Sequence, residues 1–293
     1  MQLVSFECGK RRGFGFIEGN AALDLSRCPG LRGCSGWASA LSQYSIEHLH
    51  GLALRAGRRC ALEEIALLPP ITDGDKILCL GLNFRDHAQE TGLPIPEKPI
   101  LFTRFGSSFV GHGEPVLAPS VSQQFDYEGE LAIVIGKRGR GVSPQRAMDY
   151  VLGYTVVAEN SVRDWQSHSR QVTPGKNFYR SGAMGPACVS RDEALDEECF
   201  RIITRLNGLQ VQDGATSELI FSIEEVLAYV STFAMLIPGD IVCLGTPAGV
   251  GMNRKPPCWM AAGDVLEVEI PGIGTLRNRV VAELASEQSE LCA

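Results

Sequence analysis

A mixed α+β, β-rich fold is what the sequence predicts, and three observations predict it. From Lys76 to Val281 apolar strand-like runs far outnumber helical patterns, and Gly, Pro and Asn turns separate them. Too few helices follow those runs for a doubly wound parallel sheet. The chain has 293 residues, 44% hydrophobic and 21% charged. At that size roughly 75% of the unfolded surface becomes buried, so neither disulfides nor a structural metal is needed for folding.

Taken in order, residues 1–72 read as a small N-terminal domain of short mixed stretches followed by "SQYSIEHLHGLALRAG", which has helical spacing. His48 and His50 in that helix are two apart and face different ways, which argues against a metal pair. "LLPPITDGD" (Leu67–Asp75), with paired prolines and a turn signal, marks the boundary, and residues 73–293 form the larger domain. Its strand-like runs are "KILCLGLN", "ILFTRF", "FDYEGELAIVIG", "VLGYTVVAE", "GPACV", "FRIITRLNGLQV", "DIVCLGTP" and "DVLEVEIPGIGTLRNRVV", the last reading as two strands around a Pro-Gly turn. Helical patterns are clearest in "SPQRAMDYV" and "SIEEVLAYVSTFAML".

Composition excludes several function classes. A net charge of -7 argues against a nucleic-acid surface, which needs clustered Lys and Arg, but not against one small anionic substrate in a local basic pocket. No apolar run approaches the roughly 18 residues of a membrane helix, so no membrane partner is expected. "MQLVSFECGKRR" lacks the basic-then-apolar pattern of a signal peptide. The cysteines (Cys8, Cys28, Cys34, Cys60, Cys79, Cys188, Cys199, Cys243, Cys258 and Cys292) form no C-x-x-C pair and no zinc pattern, and are expected as reduced thiols of a cytoplasmic protein. Cys79 and Cys243 sit in apolar runs, where a thiol behaves as a small hydrophobe.

Three stretches concentrate chemistry. In "FDYEGELAIVIG" side chains two apart share a strand face, so Glu128 and Glu130 point the same way. Two such hard oxygen donors suit magnesium, manganese or calcium; the alternative is a wet strand end. In "GLNFRDHAQETG" a short helix puts His87 and Glu90 on one face, a unit suited to general-base work or simply a hydrated turn. In "YTVVAENSVRDWQ" a strand runs into Glu159, Asn160, Ser161, Arg163, Asp164 and Gln166, an anion-gripping loop or a polar turn. Lys176 and Arg180 lie in the glycine-rich "TPGKNFYRSGAMGP", and Thr246 in "CLGTPAGVG", which matches neither a Walker motif nor G-x-G-x-x-G. His112 and His168 are lone histidines.

In this order, "GLNFRDHAQE", "DYEGELAIVIGK", "YTVVAENSVRDWQ", "PGKNFYRSGAMGP", "SIEEVLAYVS" and "LIPGDIVCLGTPAGVG" resemble the fumarylacetoacetate hydrolase family over about residues 73 to 282. The resemblance implies a β-sandwich roll that dimerises and one magnesium or manganese ion per chain, held at positions matching Glu128, Glu130 and Glu159. It implies a water-activating dyad at His87 and Glu90, with Lys176 catalytic and also substrate-binding alongside Arg163, Gln166 and Thr246. Small 2-oxo or 1,3-diketo acids are the implied substrates, with aromatic pocket walls expected from Phe84, Phe105, Tyr127, Phe178 and Tyr179.

One position departs from the family pattern N-D-x-S-x-R-D, in which the third ligand is aspartate. Here the stretch reads Ala158, Glu159, Asn160, Ser161, Val162, Arg163, Asp164, so the acid is one methylene longer. Three readings follow. The first is metal-dependent hydrolysis of a carbon–carbon bond in an acylpyruvate-type acid, as in aromatic catabolism. The second is decarboxylation, tautomerisation or hydration of a related oxo acid, since each passes through an enolate. The third is a metal-free binding or scaffold protein.

Overall fold

Strand Gly129–Ile135 is the spine of the molecule, because it is buried on both faces along its whole length. It lies inside a twelve-stranded sheet, in the computed structural model of the protein, which describes residues 1–194 and 199–283. Cys292 is outside the described residues; the other nine cysteines are free thiols.

Along the main path of that sheet the order is Arg58–Ala61, Ala21–Asp24, Arg11–Glu18, Gln2–Cys8, Gly182–Ser190, Val151–Ala158, Gly129–Ile135, Ile241–Cys243, Ile77–Gly81 and Ile100–Arg104. Gln2–Cys8 pairs antiparallel with Gly182–Ser190, so the N-terminal strands join the same sheet as the later ones. A five-stranded sheet, Leu209–Ala215, Arg201–Leu206, Val265–Ile270, Gly274–Ala282 and Val116–Ala118, packs against it.

Side-chain parity decides which layer each residue joins. Leu131, Ile133 and Ile135 enter the core shared with Ile202, Leu266, Val268 and Leu276 of the second sheet. Ala132 and Val134 face the opposite way, into a core with Cys79, Cys243, Trp37, Leu49 and Phe16. The N-terminal helix Ile46–Ala56 therefore roofs the face of the sheet that the sandwich leaves open. Trp37 is anchored there by its indole N–H on Val4 O at 3.0 Å.

Most sequence expectations hold, with three refinements. "FDYEGELAIVIG" is not one strand. Phe125–Asp126 pairs with Ser161–Val162, and Gly129–Ile135 pairs with Val151–Ala158, leaving Tyr127 and Glu128 between ladders. The break is stabilised locally: Asp126 Oδ1 accepts the Tyr127 amide at 2.9 Å, and Glu128 O accepts the Glu159 amide at 2.8 Å. "FRIITRLNGLQV" is a hairpin, because Asn207 and Gly208 both adopt positive φ (53° and 79°), the requirement of a tight two-residue turn. "SPQRAMDYV" yields only the short helix Pro144–Ala147 and a 3-10 turn. By contrast Ile223–Phe233 is a full helix, started by a Ser222–Glu225 capping box and held by buried Val226, Leu227 and Val230. Among the described residues no helix is long and apolar enough to cross a membrane.

Gly129 fixes how closely the two sheets approach. A Cβ there would lie 2.1 Å from Thr204 Oγ1 and 3.0 Å from Val268 Cγ1, both on the facing sheet. Gly129→Ala is expected to destabilise the protein by about 1–3 kcal/mol through overpacking, read as a lower urea midpoint at unchanged m-value. An unchanged midpoint would show that the sheets separate without cost.

Candidate active site

Where strand Gly129–Ile135 begins, four carboxylates are buried together: Asp126, Glu128, Glu130 and Glu159 are each at most 6% exposed. Oxygens of Glu128, Glu130 and Glu159 lie within 4.8 Å of one another. Burying ionised carboxylates is costly without counter-charge, and three cations supply it. Arg163 Nε donates to Asp126 Oδ2 at 2.8 Å, and its Nη1 lies 2.8 Å from Glu128 Oε1. Lys176 Nζ donates to Glu128 Oε2 at 3.0 Å and to Glu159 Oε2 at 2.5 Å. Arg104 Nη1 donates to Glu159 Oε1 at 3.0 Å. Ser161 Oγ adds a 2.6 Å bond to Glu128 Oε1.

These charges set the protonation of the group. Burial pushes the Glu128 carboxyl up, but Arg163, Lys176 and the Ser161 hydroxyl override it and bring it from 4.5 down to about 2. Burial likewise opposes the Lys176 ammonium, yet Glu128 and Glu159 hold it above its ordinary value. Glu130 is different: burial and then the neighbouring Glu159 push it well above the usual carboxylate range. Its Oε2 accepts only the Gly245 amide, at 2.9 Å, and it joins no ion pair among the described residues.

Loop 244–252 connects this group to the His–Glu pair. Its amides point at carboxylates in turn: Gly245 at Glu130, Ala248 at Asp86, Gly249 at Glu90, and Gly251 and Met252 at Asp126. Gly249 makes the path possible, since its φ is +104° and a Cβ would meet Val211 O at 2.3 Å. Helix Arg85–Thr91 carries His87 and Glu90, with His87 Nδ1 3.2 Å from Glu90 Oε2. Burial raises the Glu90 carboxyl, but hydrogen bonds from His87, Asn253 and Gly249 outweigh it and leave Glu90 below its ordinary value.

The structure brings together Glu128, Glu130, Glu159, Arg163 and Lys176 directly. Gln166 joins them through Arg163, with Arg163 Nη1 donating to its Oε1 at 3.0 Å. The Thr246 hydroxyl is spent on the framework, donating to Gly129 O and accepting from Gln212. Tyr127 is fully buried with its hydroxyl on Gly249 O, and Phe84 is fully buried in the main apolar core. Phe105 and Tyr179 are exposed and line a cavity of about 750 Å³ with Arg104, Arg180 and Glu114, while Phe178 packs edge-on against Trp165.

Sequence reasoning missed Arg104 and Asp126. Asp126 had a signal, because it shares the two-residue parity of Glu128 and Glu130. Arg104 had only its place at the end of an apolar strand, and its partner is 55 positions away.

A divalent cation fits this donor set: three hard oxygen donors converge, and Glu130 in particular lacks a cation of its own. A family model described as fumarylacetoacetate (FAA) hydrolase C-terminal matches residues 76–281. The oxaloacetate tautomerase fahd2, mitochondrial, of Xenopus laevis is 44% identical over 219 residues, covering 74% of this chain and 69% of that protein. The oxaloacetate tautomerase FAHD2A, mitochondrial, of Homo sapiens is 42% identical over 220 residues, covering 74% and 70%. Among solved structures, a fumarylacetoacetate hydrolase from Exiguobacterium antarcticum superposes with TM-score 0.81 at 33% identity, covering 97% of this chain and all (100%) of that one. A 5-carboxymethyl-2-hydroxymuconate delta-isomerase from Mycobacterium smegmatis gives TM-score 0.77 at 29% identity, covering 97% and 100%.

The Glu128 shift has a sign that is open to measurement. Its folded value of about 2 lies below the unfolded 4.5, so its stabilisation is complete above pH 4.5 and is lost as pH falls toward 2. Comparison of the protein with Glu128→Gln by denaturant melts should show a gap of about 3 kcal/mol at neutral pH. That gap should narrow below pH 4.5; a gap independent of pH would mean Glu128 is not ionised in its ion pairs.

Proposed function

The chain belongs to the fumarylacetoacetate hydrolase family, and within it we propose a divalent-cation-dependent tautomerase acting on a small 2-oxo dicarboxylic acid of the oxaloacetate type. The observation that carries this reading is the buried Lys176 ammonium, held charged among the carboxylates beside an Arg163 whose Nη2 has no hydrogen-bond partner among the described residues. The tautomerases at 44% and 42% identity support the reaction class.

Tautomerisation moves one proton between the carbon next to a carbonyl and the carbonyl oxygen, through an enolate. Glu128, Glu130 and Glu159 would hold magnesium or manganese, which when bound supplies Lewis acidity toward a 2-oxo acid's oxygens. Lys176 places a fixed positive charge where the enolate oxygen develops negative charge, in a dry site where such a charge acts strongly. Arg163 offers its free Nη2 to a substrate carboxylate, oriented by Asp126 and Gln166. His87, with Nδ1 directed at the ionised Glu90, presents Nε2 to take the proton from the carbon and deliver it to the enolate oxygen, or the reverse in the enol-to-keto direction. A loop amide fixes Glu90, so the dyad keeps its orientation through the cycle.

A second reading, hydrolytic cleavage of a carbon–carbon bond in an acylpyruvate, rests on the same His87–Glu90 pair, which suits activation of water. The chemistry diverges only in whether Nε2 meets a carbon acid or a water. In either reading we take the working assembly to be a homodimer in the cytoplasm.

Two outcomes test the reading. The purified protein with manganese should accelerate the enol-to-keto conversion of oxaloacetate, followed by loss of enol absorbance, and Lys176→Met should lower kcat by at least about 100-fold. Release of pyruvate from acylpyruvates without any acceleration of the enol-to-keto conversion would instead establish the hydrolase. Manganese should raise the melting temperature of the protein and leave a Glu128→Gln/Glu130→Gln variant unmoved, since ligand binding stabilises only a fold that holds the site.

A further inference from the structure

Both carboxylate oxygens of Glu159 are already engaged, and the two engaging groups are physically unlike. Oε2 accepts Lys176 Nζ at 2.5 Å, while Oε1 accepts Arg104 Nη1 at 3.0 Å. Lys176 is a point charge on a flexible stem, and it also reaches Glu128 Oε2 at 3.0 Å and Glu159 O at 3.2 Å. It therefore keeps two of its three acceptors if Oε2 is taken by something else.

Arg104 has no such freedom. Its side chain is fully buried. Nε donates to Ser108 Oγ at 3.0 Å, Nη1 also reaches Asn160 O at 3.2 Å, and Nη2 donates to Ser181 Oγ at 2.9 Å. The guanidinium lies over the Phe109 ring, 4.4 Å from its centroid. A planar fork tied in several directions cannot rotate away from Oε1 without breaking all of these bonds at once.

We infer that Arg104 is the positioning residue of the carboxylate group: it retains Oε1 of Glu159 and leaves Oε2 as the single oxygen turned toward a cation. This assigns Glu159 a one-oxygen role and gives a physical reason why the longer acid is workable here. Glutamate has one more torsion than aspartate, and an unrestrained buried carboxylate would have to be ordered on binding. Arg104 orders it beforehand, which is how a partner of a ligand commonly raises metal affinity. The inference rests on the divalent-cation reading of the site.

The test is manganese affinity by titration calorimetry, in two backgrounds. Arg104→Met should weaken manganese binding by about 10–100-fold in the otherwise unaltered protein. It should weaken it by less than about 2-fold when Glu159→Gln is also present, because a residue acting through Glu159 has nothing left to position. Arg104→Lys keeps the charge without the fork and covers the case in which the methionine variant does not fold. It should weaken binding by about 3–10-fold, with the same loss of effect in the Glu159→Gln background. Equal weakening in both backgrounds, or unchanged affinity in both Arg104 variants, would overturn the inference. If the unaltered protein binds no manganese, the divalent-cation reading falls and this inference falls with it; the Arg104 variants alone failing would leave that reading standing.

Discussion

The need to neutralise buried carboxylates where strand Gly129–Ile135 begins is the constraint on which the rest of the site depends. Asp126, Glu128 and Glu130 converge where the short strand Phe125–Asp126 gives way to Gly129–Ile135, and Glu159 arrives from the neighbouring strand's end. Four such groups in a dry interior are unstable alone. The chain answers with Arg104, Arg163 and Lys176, each from a different segment, so the site closes around a charge balance between the two apolar cores.

That balance is deliberately incomplete at one place. Glu128 and Glu159 have cations, Asp126 has Arg163 and three backbone amides, and Glu130 has a single amide. A residual negative demand next to fixed positive groups is the arrangement a cation and an anionic substrate complete together. Backbone amides of loop 244–252 extend the same logic outward to Asp86 and Glu90, so helix Arg85–Thr91 and the carboxylate group are tied to one loop. Preorganised donors of this kind need no rearrangement as charge develops.

Tautomerase and hydrolase are close neighbours on such a site. Both need a 2-oxo acid oriented, an enolate oxygen stabilised and one proton handled by a base. The family holds proteins of both names among the similar structures and sequences, which is what a shared enolate site would permit.

Much of this was legible in the sequence, and the physical reason is locality. The apolar run in "GELAIVI" predicts a buried strand, H-x-x-E predicts a shared helical face, and the spacing in "SIEEVLAYVSTFAML" predicts a helix; each follows from geometry within a few residues. The order of the motifs identified the family. Other features depended on distance. The chain break at Tyr127 and Glu128 follows from pairing with Ser161–Val162, and Thr246 and Tyr127 turn out to spend their hydroxyls on the framework. Arg104 meets Glu159 only because Ile100–Arg104 and Val151–Ala158 belong to one sheet, with three strands between them. Local geometry determined which residues group into candidate motifs; only the sheet's long-range order decided which charges face each other, because the partners of a buried ion are set by topology and not by spacing along the chain.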